Sequence, residues 1–176
     1  MHGRATIGLY NSYDTVKFRE AHRRAIARAG PLSLAFDCNL ATFGFPFTKD
    51  MITPVEISRW VASTTSIGGG GKSFIELAEK GRYTRFDFPN KGFPPQLGKA
   101  VATTRNPDSR KIISVARVRE MLSSGDSILL VFGLGPHGLP KDVLRTCRLH
   151  LDVTGRGISL ETCTAMGAVV GSVMGR

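Results

Sequence analysis

With 176 residues, 41% of them hydrophobic and 22% charged, the chain has the size and composition of one globular domain, enough to bury a real core. Its formal net charge of +10, from 24 Lys and Arg against 14 Asp and Glu, points to an anionic partner, most simply nucleic acid, although a basic proteome would leave the same excess. Three cysteines without a Cys-x-x-Cys pair, and no His at zinc-ligand spacing, speak against a structural metal.

The odd cysteine count and the lack of a recognisable signal peptide suggest reduced thiols in the cytoplasm. The longest apolar stretch, Ala165 to Met174, is too short for a bilayer span and is broken by glycines, so a soluble protein with no membrane partner is expected.

Elements alternate along the chain, which predicts a single α/β domain over 1–176 with a mostly parallel sheet flanked by helices. Ala5–Tyr10 reads as a buried strand. Asp14 can cap a helix through Ala29, with Phe18, Ala21, Ala25 and Ala29 on one face, ended by Gly30-Pro31. Leu40–Phe45 is a second strand. Thr53-Pro54-Val55-Glu56 opens the next helix: Thr53 caps, Pro54 presets φ, and Glu56 completes a capping box.

Ser66-Ile67-Gly68-Gly69-Gly70-Gly71-Lys72-Ser73 nearly spells a phosphate-binding loop. Ser66 stands where the first glycine belongs, and the run follows a helix instead of a strand. A helix–helix linker is the simpler reading, and a backbone grip on an RNA phosphate is another. A helix over Ser73–Lys80 follows.

Arg82 to Pro95 reads as a basic, aromatic loop, suited either to phosphate contact with base stacking or to burying its own rings. Leu97–Thr103 is the third strand, Lys111–Ser123 an amphipathic helix stopped at Gly125, and Ile128–Phe132 and Leu149–Val153 the last strands, each leading into a helix.

The last quarter carries the most specific signal. Leu129-Leu130-Val131-Phe132 ends in Gly133-Leu134-Gly135-Pro136-His137-Gly138-Leu139-Pro140, and Asp152-Val153 leads into Thr154-Gly155-Arg156-Gly157-Ile158-Ser159-Leu160. Each is a strand running through glycines into a helix, the second with Ser159 as its cap. Side by side, two such joints make a pocket walled by backbone, where a flat ligand can approach because Cβ atoms are missing.

These paired joints resemble the signature of the SPOUT superfamily, the trefoil-knotted RNA methyltransferases, in an archaeal-type branch. Phe132-Gly133, Gly138-Leu139-Pro140 and Ser159-Leu160 match its pattern. Gly135 or Pro136 stands where that family often has an acid, and Glu161 replaces its usual Asn.

The resemblance implies a deep C-terminal trefoil knot and S-adenosylmethionine as cofactor. It implies cofactor contacts from Thr103, Thr104, Phe132, Gly133, Leu134, Gly138, Leu139, Val153, Ile158, Ser159 and Leu160. It further implies a homodimer formed partly by the helix from Ser159 to Val173, whose Ala165, Gly167, Ala168 and Gly171 otherwise suit packing within the chain. Ala25-Ile26-Ala27-Arg28-Ala29 is similar to the segment that bears the arginine of ribose-methylating members, which makes Arg28 the candidate catalytic residue. A solvated arginine on a basic helix is the competing account.

The expected activity is 2′-O methylation of tRNA or rRNA, with Arg19, Arg23, Arg24, Arg82, Arg85 and Lys91 as RNA contacts. Base N-methylation, or a knotted RNA-binding module without catalysis, are the alternatives.

Overall fold

A computed structural model describes residues 1–64 and 70–175. The elements are β1 (Ala5–Tyr10), α1 (Glu20–Ala35), β2 (Asn39–Phe43), α2 (Pro54–Thr64), α3 (Gly70–Glu79), β3 (Tyr83–Phe86), β4 (Lys99–Thr103), α4 (Val115–Ser123), β5 (Ile128–Gly133), α5 (Lys141–Thr146), β6 (Leu149–Leu151) and α6 (Thr162–Met174). The six strands form one sheet in the order β3-β2-β1-β5-β4-β6. Every pairing is parallel, from Ile7 opposite Leu40 and Leu130 to Ala102 opposite His150.

Alternation divides the strands between two cores. Ile7, Leu9, Leu40, Val101, Leu130 and Phe132 face one way, into a large cluster closed by α1–α4 and α6. Tyr10, Phe43, Ala102, Leu129 and Val131 face the other way, where, among the described residues, α5 and the segment around Phe86–Leu97 cover them. A parallel sheet must be covered on both faces. Here the second cover is thin, and it borders both cavities described below.

Local chemistry explains where the observed bounds depart from the expected ones. Asp14 does not cap α1. Its Oδ1 accepts the N–H groups of Val16 and Lys17, both at 2.8 Å, and its Oδ2 accepts from Arg19 Nε, building a separate turn before the helix. These bonds and the Arg19 charge hold its carboxyl far below the usual range. The helix then runs through Gly30-Pro31 to Ala35. A Cβ on Gly30 would stand 2.7 Å from Phe74 Cβ, so α1 and α3 meet here too closely for any larger residue. That packing offsets the hydrogen bond lost at Pro31.

α2 starts as expected: Glu56 N–H donates to Thr53 Oγ1 at 3.2 Å and Thr53 N–H to Glu56 Oε2 at 2.9 Å. Residues 83–86, expected in a loop, form an edge strand. Tyr83 is buried beneath it with its hydroxyl 2.9 Å from Thr42 Oγ1.

Leu97 belongs to a 3₁₀ turn and β4 begins at Lys99. α4 begins at Val115, where Ser114 Oγ accepts from Arg117 N–H. Lys111 instead ties α5 to its surroundings, with Nζ donating to the carbonyls of Leu144, Arg145 and Cys147. α6 begins at Thr162 and its cap is Glu161, not Ser159. No helix among the described residues is long and apolar enough to cross a membrane.

Candidate cofactor and RNA site

In an open parallel sheet, ligands bind beyond the carboxyl ends of the strands. The carboxyl ends of β4, β5 and β6 open into a cavity of about 410 Å³, within the range of small-molecule sites. Its walls bring together Thr103 and Thr104 after β4, Phe132 and Gly133 at the end of β5, and Gly138 and Leu139 from the following loop. The segment after β6 adds Val153, Ile158, Ser159 and Leu160. Leu134 is the exception among the expected contacts. It is buried with the core on the helical side, and its N–H donates to Tyr10 O at 3.0 Å. The strand's alternation continues one residue past its end and puts that side chain on the face of Phe132, within the helical core.

The loop after β5 is held by close backbone contact. A Cβ at Gly133 would lie 2.4 Å from the Gly138 carbonyl carbon, and one at Gly135 would lie 2.2 Å from Ser12 O. Gly135 N–H also donates to Ser12 Oγ at 2.9 Å. The loop therefore folds on itself and docks on the residues that follow β1. Gly138 has φ +70° with open space where its Cβ would be. That is the bare backbone an aromatic ligand needs.

Asp152 organises the turn after β6. Its Oδ1 accepts Thr154 N–H at 3.0 Å and Thr154 Oγ1–H at 2.8 Å, and its Oδ2 accepts Gly157 N–H at 2.8 Å. Burial works against its charge, but these bonds together keep its carboxyl below the ordinary value. Gly155 and Gly157 take φ +63° and +66° to complete the turn. Ile158 is left 55% exposed on the cavity wall, an apolar face with nothing over it. Thr162 Oγ1 donates to Gly133 O at 2.9 Å and Thr103 Oγ1 to Val131 O at 2.8 Å, tying α6 and β4 to β5.

Sequence reasoning missed Asp152 as the turn's organiser, and missed Arg105 and Lys141 as cations lining the cavity, with His137 between them. An Asp two residues before a Thr and five before a Gly was the available signal for the turn. Arg105, His137 and Lys141 come from two segments far apart in the chain and carried none. His150, in contrast, is buried and structural: its Nδ1 accepts Asp108 N–H and its Nε2 lies 2.8 Å from Leu144 O.

Arg28 stands on the exposed side of α1 and hydrogen-bonds the Cys163 thiol in the first turn of α6, one residue from the cavity-lining Thr162. Burial raises the Cys163 pKa and the guanidinium opposes it. Arg24 is exposed and makes no hydrogen bond or ion pair among the described residues, Arg19 pairs with Asp14, and Arg23 with Glu20 and the Thr64 carbonyl.

Lys91 is exposed. Arg82 and Arg85, expected as RNA contacts, are committed to the protein itself. Arg82, its side chain only 16% exposed, donates to Cys38 O and pairs with Asp37. Arg85 donates to Met51 O and lies over the Phe47 ring. Both fasten the sheet edge, where unpaired carbonyls need donors.

The near-phosphate loop falls largely outside the described residues. Its last part, Gly70–Ser73, is the first turn of α3, where Gly71 packs against Ala62.

A family model described as "Protein of unknown function (DUF531)" matches residues 5–174. The chain belongs to the DUF531 family. A relative from Methanocaldococcus jannaschii, an uncharacterised protein, is 43% identical over 166 residues, covering 94% of this chain and 90% of its own length.

Among solved structures, one concerning the 2-OH methylation of C/U34 on tRNA superposes with a TM-score of 0.60 at 15% identity, covering 98% of this chain and 94% of that one. The SpoU methyltransferase AviRb from Streptomyces viridochromogenes superposes with a TM-score of 0.57 at 14% identity. The match covers 99% of this chain and 60% of AviRb. This DUF531 chain thus has the fold of the SpoU-type methyltransferases.

Proposed function

We propose that the protein is an S-adenosylmethionine-dependent RNA methyltransferase of the SPOUT type, acting on a ribose 2′-hydroxyl of tRNA or rRNA. The observation that carries this reading is the cavity at the ends of β4, β5 and β6, where the glycine-bearing loop after β5 exposes backbone beside apolar walls. Those features suit an adenosine: Leu139, Ile158 and Leu160 offer faces for the ring, and the backbone at Gly138 can approach it. The methyltransferase fold of the structural neighbours supports the same assignment, and so does 2-OH methylation in one of them.

When bound, the cofactor supplies a methyl group already activated on a sulfonium, so the chain's own work is positioning. Arg105 and Lys141 in the cavity lining are placed to meet a carboxylate or a phosphate. Arg28, beside α6 and close to the cavity wall, is the residue to hold a phosphate next to the target ribose and favour loss of the hydroxyl proton. An arginine holds its own proton too tightly to act as the base. Arg23 and Arg24 on the same helix and Arg19 just before it, with Lys91, form the remaining RNA-facing charge.

A homodimer formed partly by the small residues of α6 and a C-terminal trefoil knot belong to this proposal.

The test is calorimetric titration with S-adenosylmethionine and S-adenosylhomocysteine, followed by mass spectrometry of ribose-methylated nucleosides in RNA from a deletion strain. Saturable binding at one site per chain and the loss of one 2′-O-methylnucleoside are expected. No binding of either compound would overturn the proposal.

A further inference from the structure

A second cavity of about 200 Å³ lies across α5 from the first, at the carboxyl end of β1 on the thinly covered face. Tyr10, Phe93 and Val143 form its apolar floor, Pro89 closes one side, and Asn90 and Asp142 stand at its mouth. The floor is braced from behind: the Tyr10 ring sits 5.5 Å from Phe88 and the Phe93 ring meets Phe43 edge-on at 5.0 Å.

Among the described residues, the Tyr10 hydroxyl, the Asn90 amide and the Asp142 carboxylate make no hydrogen bond, although Tyr10 is only 8% exposed. Thr146, the other polar residue of the lining, already donates its hydroxyl to Asp142 O. Burial first, and then the Asp142 charge, raise the Tyr10 pKa, so the phenol keeps its proton as a donor.

A flat floor with unused polar groups at the edge is the composition of a site for an unstacked base. Its volume admits one base and little more. The polar groups select among the four. An ionised carboxylate accepts only. It can take two parallel N–H bonds from one base edge only where two donors stand side by side. On the Watson–Crick edge, guanine alone presents that pair, N1–H beside the N2 amino group. Adenine and cytosine set an acceptor next to their donor, and uracil flanks its single N–H with two carbonyls. Guanine's O6 then needs a donor, which the Asn90 amide or the Tyr10 hydroxyl provides. Lys91, exposed in the same loop, is placed for the adjoining phosphate.

We infer that this cavity receives an unpaired guanine of the RNA, read by Asp142 and Asn90. The inference rests on the RNA reading above, but the site is separate from the cofactor cavity. It would direct the enzyme to a sequence context beside the nucleotide it modifies.

The test is titration of the isotope-labelled full chain with GMP, AMP, CMP and UMP, followed by amide NMR shifts. GMP should bind with a Kd on the order of 1 mM and shift residues 89–93 and 142–146. The other three nucleotides should bind at least roughly tenfold more weakly. Asp142→Asn, a near-isosteric change in a side chain with no hydrogen bond, should remove the guanine preference. Asn90→Ala should weaken GMP several-fold.

A single-stranded hexauridylate carrying one guanosine should bind more tightly than GMP, with an affinity that falls with salt. Four nucleotides binding alike, shifts confined to the first cavity, an unchanged preference in Asp142→Asn, or an oligonucleotide no tighter than GMP would each overturn the inference. S-adenosylmethionine titration of the same sample reports on the methyltransferase reading independently.

Discussion

Gly133→Ala adds one methyl group at the point where the cavity loop turns back on its strand. That methyl would stand 2.4 Å from the Gly138 carbonyl carbon and 2.6 Å from Leu139 N, where ordinary contacts begin at 3.4 Å. Both neighbours are backbone, so no rotamer can relieve the overlap, and the 138–139 segment must move by about 1 Å. Overpacking of this kind costs about 1–3 kcal/mol. In a domain of this size, that lowers Tm by roughly 2–12 °C.

The displaced residues, Gly138 and Leu139, line the cavity, so S-adenosylmethionine affinity should fall by at least tenfold, about 1.4 kcal/mol. Gly81→Ala is the control. Gly81, unlike Gly133, has open space at its Cβ position, but it has a left-handed φ of +67° and lies outside the cavity. Its alanine variant should lose about 1–2 kcal/mol of stability from backbone strain and none of the affinity. Thermal unfolding and calorimetry on the two variants decide the matter. Full cofactor affinity in a destabilised Gly133→Ala would show that the loop is not part of the site, and an unchanged Tm would show that the loop does not pack as described.

The His22 ring is buried, accepts Arg19 N–H at Nδ1 and lies 3.0 Å from Asn11 Oδ1 at Nε2, and desolvation lowers its pKa below 6.5. The unfolded chain therefore takes the proton first: the His22 contribution is complete above about pH 6.5 and is lost as pH falls towards the folded value. Tm should drop between pH 7 and 5, and a flat profile, or the same slope in His22→Gln, would remove His22 as the cause. Gly171 has nothing within 4 Å of its Cβ position in its own chain, so Gly171→Trp should fold as a monomer where the wild type is a dimer, as light scattering would show; equal masses would refute the α6 interface. Arg28→Ala should cut single-turnover methyl transfer about 100-fold with cofactor affinity unchanged, and a wild-type rate would exclude Arg28 from the chemistry.

Backbone-built features were legible in the sequence for a physical reason. A loop that folds against itself at Gly133 and Gly135 admits no side chain there, and a turn at φ +70° favours glycine at 138, so the requirement is written directly in residue type. The capping box at Thr53–Glu56 is equally local. Features that depend on distant partners were not legible. Arg82 and Arg85 have the composition of an RNA surface, and only the position of β3 at the sheet edge turns them toward Cys38 O and Met51 O. Gly30-Pro31 is a helix stop in any local reading, and only the approach of Phe74 explains a helix that continues through it. Arg105, His137 and Lys141 meet at one cavity because the ends of β4 and β5 lie side by side.

The two departures from the SPOUT pattern bear on whether catalysis survives, and their placement answers differently for each. At Gly135 an acidic side chain cannot be accommodated, because its Cβ would fall 2.2 Å from Ser12 O. Pro136, the other position where that pattern often has an acid, lines the cavity. Glu161 is a milder case. It is absent from the cavity wall, and its carboxylate accepts the N–H groups of Cys163 at 3.0 Å and Thr164 at 3.3 Å from an extended backbone.

That is the work of an N-cap, which asparagine performs at least as well. The departure therefore exchanges one cap for another and leaves the cavity as it was. Glu161→Asn, which restores the family residue, should keep Tm within about 2 °C, the equivalent of ~0.5 kcal/mol, and should keep S-adenosylmethionine affinity within roughly twofold. Glu161→Ala should cost about 1 kcal/mol through the uncapped N–H groups, again with affinity nearly intact. Calorimetry in which Glu161→Asn binds the cofactor tenfold more tightly than the native chain would refute this argument. It would mean that the glutamate impairs the site, and would favour a knotted RNA-binding protein over an enzyme.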